Sequence, residues 1–236
     1  MSPLNIYIHI PFCFAKCPYC AFFSCTNNSN AYEAYFKTLN NEILTKSKIY
    51  KDKKIQTIYI GGGTPNLVKY RYIVEITQTI KNHFSLNEDT EITIEQYPEY
   101  ITSAALNAYK AVGINRISIG LQTSDNQDLK ELTRRYTYED FLEKYNLAKS
   151  IGFTNIGVDL IFGYPQHTLE KWKNTLEKIT ELDIQHLSCY SLEIEDGTPY
   201  GNLYTQDKLI LPPEEENREM YHLAFEYLSK KGFKQY

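Results

Sequence analysis

The chain of 236 residues contains no stretch approaching the roughly 20 consecutive apolar residues that a membrane-spanning helix requires. Near its N-terminus polar Asn5 and His9 stand where a signal peptide would carry an apolar run, so the expected location is the cytoplasm. Charge of one sign is also lacking: 25 Lys and Arg against 29 Asp and Glu leave a formal net charge of −4. That balance exerts no general pull toward nucleic acid or an anionic membrane, and leaves small molecules and proteins as partners. The five histidines, His9, His83, His167, His186 and His222, share no metal-ligand spacing and read as structural. No G-x-G-x-x-G fingerprint and no nucleophile elbow occurs, which removes dinucleotide binding and triad hydrolysis. Cysteine is sparse and odd in number, at five, which suits a reducing compartment where thiols serve metals. The abundance of tyrosine, 21 residues scattered along the chain, is by itself assigned no function.

Three of those cysteines, Cys13, Cys17 and Cys20, crowd into eight residues straight after a strand-like run. Thiolates are soft ligands that suit zinc or iron–sulfur clusters. Three of them on a four-iron cluster would leave one iron open to a small molecule. Zinc competes, because Cys25 offers a fourth thiolate and four sulfurs close a structural site. Against zinc, such sites usually pair two couples across a loop, whereas Cys25 lies beyond an aromatic Ala21-Phe22-Phe23 turn.

The rest of the chain alternates short β-branched or aromatic runs with amphipathic segments, the pattern of βα units and a parallel sheet. The strands are predicted at Asn5–Ile10, Thr57–Ile60, Glu91–Glu95, Arg116–Ile119, Asn155–Ile161 and His186–Ser191. Thr102–Val112 illustrates the helices, with Ala105, Leu106, Tyr109 and Val112 on one face and Gly113 placed to end it. An eight-unit barrel takes about 250 residues, so six units need roughly 190, and Asn5 to Ser191 accommodates them. The expected fold class is therefore α/β, a partial, TIM-like (β/α)6 barrel over 1–195. A C-terminal extension, 196–236, follows: a helix over Glu214–Lys231, then Phe233–Tyr236 as the start of a further strand, as though the chain were cut short.

In parallel βα architectures chemistry gathers at the carboxyl ends of the strands. The unusual residues fall there: the cysteines after the first strand, Gly61-Gly62-Gly63-Thr64-Pro65 after the second, Glu95, Gln122 and Asp159 in or after later ones. The glycines read as a wall that lets backbone approach a polar ligand, with a tight turn as the plainer alternative. Glu95, Gln122 and Asp159 in apolar strands need partners, which a ligand bearing an ammonium, hydroxyls and a carboxylate would supply, with Arg134 as a carboxylate fork.

These residues resemble the radical S-adenosylmethionine (SAM) superfamily. Tyr7-Ile8-His9-Ile10-Pro11-Phe12-Cys13, the Gly61–Pro65 run, Arg116–Thr123 and Asp159–Pro165 resemble in particular its coproporphyrinogen III oxidase-like branch. The resemblance implies a [4Fe–4S] cluster on Cys13, Cys17 and Cys20 and SAM at the open iron. It places Tyr7 and Tyr19 along the SAM site, Gly62, Gly63 and Thr64 at SAM's amino-acid part, and Glu95, Gln122, Arg134 and Asp159 at further SAM contacts. Ser188 is implied near the adenine through its backbone. The implied chemistry is electron transfer to the sulfonium, releasing methionine and a 5′-deoxyadenosyl radical. No residue is assigned as catalytic.

Two positions depart from the branch. Ala21 stands where Asp usually follows the last cysteine, and Glu95-Gln96-Tyr97-Pro98 replaces an E-x-N-P turn. The branch holds both haem chaperones and oxygen-independent coproporphyrinogen III dehydrogenases. The dehydrogenases add a cysteine two positions after the third, where this chain has Phe22, and carry an extension before the first. The resemblance thus implies a chaperone that binds haem and delivers it to an acceptor protein, with a reductant protein supplying electrons. SAM-dependent decarboxylation of coproporphyrinogen III is the alternative.

Overall fold

The computed structural model describes residues 4–26 and 29–236. Its strands are β1 (Leu4–Ile10), β2 (Phe12–Cys13), β3 (Cys25–Thr26), β4 (Lys54–Gly62), β5 (Ser85–Gln96), β6 (Arg116–Gln122), β7 (Asn155–Phe162) and β8 (His186–Ser191). The helices are α1 (Tyr32–Ile49), α2 (Tyr70–His83), α3 (Ser103–Val112), α4 (Asn126–Glu131), α5 (Tyr138–Ile151), α6 (Leu169–Thr180), α7 (Pro199–Tyr204) and α8 (Glu214–Lys230). Six strands form one sheet in the order β1-β4-β5-β6-β7-β8, and the two-residue β2 and β3 pair separately. All six predicted strands and the α/β class are present. No helix among the described residues is long and apolar enough to cross a membrane.

By contacts the chain divides into two units. The first comprises Met1–Lys16, Phe22–Ser118 and Lys144–Thr154. In it β1, β4 and β5 pair in parallel. Side chains alternate across a strand, so Ile8, Ile10, Ile58, Ile60, Ile92 and Ile94 join a buried apolar layer with Phe36 of α1, Ile73, Ile76 and Ile80 of α2, and Leu106 and Tyr109 of α3. The opposite face is polar: Thr57 donates to Asn5 Oδ1 at 2.9 Å, and Arg116 pairs with Glu91 at 3.2 Å. Helix α3 forms as its pattern predicts. Thr102 Oγ1 accepts from the Ala105 N–H at 3.2 Å, and Gly113, with φ 98°, takes the left-handed cap that L residues resist.

Strand β5 begins at Ser85, ahead of the predicted Glu91. Pairing jumps from Ile55↔Leu86 to Thr57↔Glu91, so polar residues are accommodated in an irregularity rather than a turn. Thr90 stitches it, its hydroxyl bonding the carbonyls of Ile55 at 3.0 Å and Asn87 at 2.8 Å.

The second unit comprises Cys17–Ala21, Ile119–Glu143 and Asn155–Tyr236. Strands β7 and β8 pair in parallel, setting Asp159 opposite Ser188. On α6, Trp172, Thr175, Leu176 and Ile179 repeat at helical spacing and are fully buried. Trp172 donates its indole N–H to the Met220 carbonyl of α8 at 2.9 Å, and truncating a buried aromatic of this kind costs about 3–5 kcal/mol.

Among the described residues Phe233–Tyr236 pair with no strand. Gly232, with φ 91°, ends α8, and the Phe233 N–H returns to the Leu228 carbonyl at 3.0 Å, closing a helix cap instead of a ladder.

Candidate functional site

In the first unit the residues after β1, β4 and β5 interlock. The Gly63 N–H donates to Ile10 O and the Thr64 N–H to Phe12 O, each at 2.8 Å, so the Gly-rich turn is sewn to the cysteine loop. A Cβ on Gly63 would lie 2.7 Å from Phe12 O and 2.9 Å from Cys13 Sγ. On Gly62, whose φ is 116°, it would meet the His9 ring at 2.7 Å, and on Gly61 it would meet Glu95 and Tyr59 at 2.8 Å. The expected glycine wall is thus approached by this chain's own residues, and close packing is already sufficient reason for each glycine.

Glu95 is held at the end of β5 by two donors, the Tyr59 hydroxyl at 2.8 Å and the Gly62 N–H at 3.1 Å. Tyr7 lies exposed; its hydroxyl donates to His9 Nδ1 at 2.9 Å while His9 Nε2 donates to the Phe23 carbonyl at 2.8 Å. Partial burial, then the Glu95 charge, pushes the Tyr7 hydroxyl pKa up. Where the E-x-N-P pattern is broken, Asn66 pairs with the Tyr97 backbone, donating to its carbonyl at 3.0 Å and accepting its N–H at 2.9 Å. The turn is therefore held through backbone that any side chain at 97 would present.

In the second unit the Cys20 N–H closes a turn onto the Cys17 carbonyl at 3.1 Å. Tyr19 between them accepts a hydrogen bond from Arg134, whose guanidinium lies 5.7 Å over the ring. Burial raises the Tyr19 pKa against the pull of Arg134. Gln122 ends β6 buried and with φ 76°, a left-handed conformation costing roughly 1–2 kcal/mol for a residue other than glycine. The neighbouring turn is braced by the Tyr136 hydroxyl, which bonds the Gly120 carbonyl at 2.6 Å. Cys189, beside the Asp159–Ser188 rung, has its thiol pushed up to about 12 by burial and by Asp159, a setting for an inert thiol. Each unit so gathers a share of the expected residues: Tyr7, Cys13, Gly62, Gly63, Thr64 and Glu95 in one, Cys17, Tyr19, Cys20, Gln122, Arg134, Asp159 and Ser188 in the other.

Sequence reasoning passed over Tyr59 and Asn66, and read His9 only as structural. The signal for Tyr59 was present in Ile55–Ile60, where Thr57 and Tyr59 alternate with isoleucines and mark a polar face on a parallel strand. The signal for Asn66 was not, since its partner is backbone from another element.

The fold and its thiol-bearing loop define the class: the chain belongs to the Radical SAM superfamily, whose family profile matches residues 7–179. It is 33% identical over 235 residues to the haem chaperone HemW of Lactococcus lactis, covering all of this chain and 61% of that protein. It is 34% identical over 191 residues to the oxygen-independent coproporphyrinogen III oxidase of Salmonella typhimurium, covering 80% of this chain and 42% of that one. Among solved structures, coproporphyrinogen III oxidase (HemN) from Escherichia coli matches with a TM-score of 0.86 at 27% identity, over 98% of this chain and 54% of that one. The fold is accordingly the partial (β/α)6 barrel of radical SAM type. The chain spans about three-fifths of the length of the HemW proteins it matches.

Membership implies a [4Fe–4S] cluster and SAM, and the residues fit that pair. Cys13, Cys17 and Cys20 are half-buried, and none of the five cysteines is in a disulfide. Cys13 lies against the side-chain-free Gly63, with the Thr64 hydroxyl donating to its sulfur at 3.8 Å. Cys25 does not extend this set as a zinc site would need. Phe12 pairs with Cys25 and Cys13 with Thr26, so Cys13 and Cys25 point to opposite faces of the small ladder, and the Cys25 thiol donates to Pro11 O at 3.3 Å. Among the described residues no three His, Cys, Asp or Glu side chains converge as ligands of a single metal ion.

Proposed function

We propose that this chain is the radical SAM portion of a haem-trafficking protein. Cys13, Cys17 and Cys20 hold the cluster, and Tyr7, Tyr19, Gly62, Gly63, Thr64, Glu95, Gln122, Arg134, Asp159 and Ser188 receive SAM. Haem passes to an acceptor protein, and a reductant protein supplies electrons. The observation that carries the reading is the match to haem chaperones over this whole chain. Phe22 in the place of the dehydrogenases' additional cysteine supports it.

When bound, the cluster supplies an electron to SAM's sulfonium. The chain's own part is to bind and orient. Glu95 is a carboxylate already fixed by Tyr59 and Gly62, suited to an ammonium. Arg134 is a planar donor held beside the cysteine turn by Tyr19, suited to a carboxylate or hydroxyl.

The second reading, oxidative decarboxylation of coproporphyrinogen III, is favoured by the likeness to HemN. One experiment separates the two. Protein reconstituted anaerobically, with its cluster verified and reduced, is incubated with SAM and coproporphyrinogen III and analysed by mass spectrometry, and a parallel sample is titrated with haem. Haem binding with an intact porphyrinogen is the expected result. Loss of carbon dioxide together with 5′-deoxyadenosine establishes the decarboxylase, and failure of protein extended past Tyr236 to bind haem refutes the chaperone.

A further inference from the structure

The family profile ends at residue 179, yet a segment beyond it reaches back to the cysteine loop. Cys17–Ala21 belongs by contacts to the second unit, although the chain on either side of it belongs to the first. Its tie is to the start of α7. The Tyr200 N–H donates to the Pro18 carbonyl at 2.9 Å, and the rings of Tyr19 and Tyr200 lie 6.2 Å apart, tilted by 51°. Tyr19 and Tyr200 also pack together on the buried cluster of Leu132, Tyr164 and Leu192, joined by Ile194 and Leu211.

The turn that presents Tyr200 is over-determined. Thr198, buried, donates its hydroxyl to Glu195 O at 2.7 Å and accepts the Gly201 N–H at 3.0 Å. A Cβ on Gly201 would fall 2.3 Å from Glu195 O, so this turn admits only glycine there. Pro199 has no N–H, and Tyr200 contributes a first-turn helix donor with no partner inside the helix. That donor is spent on Pro18, between two of the three thiols.

We infer that Tyr200 and the Thr198–Gly201 turn form a clamp that positions Cys17 and Cys20 for the cluster. Tyr200 is a positioning residue, acting through Pro18 and Tyr19 and touching no reacting atom. For its cluster arm the inference rests on family membership and not on the haem reading, so either can fail alone.

The test measures cysteine alkylation in the anaerobic, reduced, cluster-free protein by mass spectrometry, site by site. Tyr200→Ala is expected to raise the rates at Cys17 and Cys20 about tenfold, the effect of losing one well-packed aromatic contact, while Cys13 and Cys189 keep theirs. After reconstitution the same variant should lose its iron and visible absorbance about tenfold faster. Tyr200→Phe should behave as wild type, as should Tyr204→Ala, an exposed position on the same helix. Unchanged rates at Cys17 and Cys20, or equal acceleration at all four cysteines, overturns the clamp. Should Tyr200→Ala not fold, hydrogen exchange in the unaltered protein decides: the Tyr200 amide must exchange as slowly as that of Gly201, and fast exchange refutes the inference.

Discussion

Gly63→Ala puts the construction of the site to its hardest test. The added Cβ would stand 2.7 Å from Phe12 O, 3.0 Å from Phe12 C and 2.9 Å from Cys13 Sγ. Ordinary non-bonded contacts lie near 3.5 Å, so something must yield by about 0.8 Å. Phe12 cannot do so cheaply. It is 2% exposed, its ring packs against Tyr32 and Tyr35 at 4.4 and 5.2 Å, and its carbonyl accepts from the Thr64 N–H at 2.8 Å. Overpacking of this kind costs about 1–3 kcal/mol, and loss of the Thr64 hydrogen bond about 1 more. In a chain of this size about 2–4 kcal/mol corresponds to a fall in Tm of roughly 4–16 °C. Calorimetry of the cluster-free protein should find it, and reconstituted protein should carry less iron because Cys13 is displaced. Gly197→Ala is the control: its φ is 77° but nothing lies within 4 Å of the new Cβ, so it should cost only the backbone strain of about 1–2 kcal/mol and leave iron binding intact. A Gly63→Ala protein with wild-type Tm and full iron would refute the close-packing account of the turn.

Single replacements of Cys13, Cys17 or Cys20 by Ala should each abolish the visible absorbance of the reconstituted protein, while Cys25→Ala and Cys189→Ala retain it; loss with Cys25→Ala would reopen a four-thiol site. His167 is buried, stacked on Tyr164, and accepts the Gly163 N–H at 3.1 Å, and burial lowers its pKa to about 3. The unfolded state therefore binds more protons between about pH 6.5 and 3, so this stability is present above pH 6.5 and is lost as pH falls toward 3, by at most about 1.4 kcal/mol per unit. Urea unfolding at stepped pH should show that slope reduced in His167→Phe, and parallel pH profiles would dismiss the coupling.

Local chemistry made much of this protein legible. Period-two alternation and helical spacing reflect which face a side chain can bury, and these, with Gly113 as the C-cap of α3, located six strands and that helix without knowledge of partners. The cysteine spacing was equally local, because the three thiols lie on one short loop. The packing of the glycines was not legible: a run of three removes side chains whether a ligand or the protein itself approaches, and only the structure shows His9, Cys13 and Glu95 close against them. That the Phe233 N–H closes the cap of α8 was not legible either, because its acceptor is the Leu228 carbonyl of the helix before it. Sequence by itself determined the βα repeat, the spacing of the cysteines and the polar character of the strand ends, since each depends on neighbours a few residues away. Tertiary structure alone decided that Tyr59 and Gly62 hold Glu95, that Asn66 fixes Tyr97, and that Tyr200 reaches Pro18. Those contacts join residues 31 to 182 positions apart, and no local pattern encodes which distant backbone group a side chain or an N–H will meet.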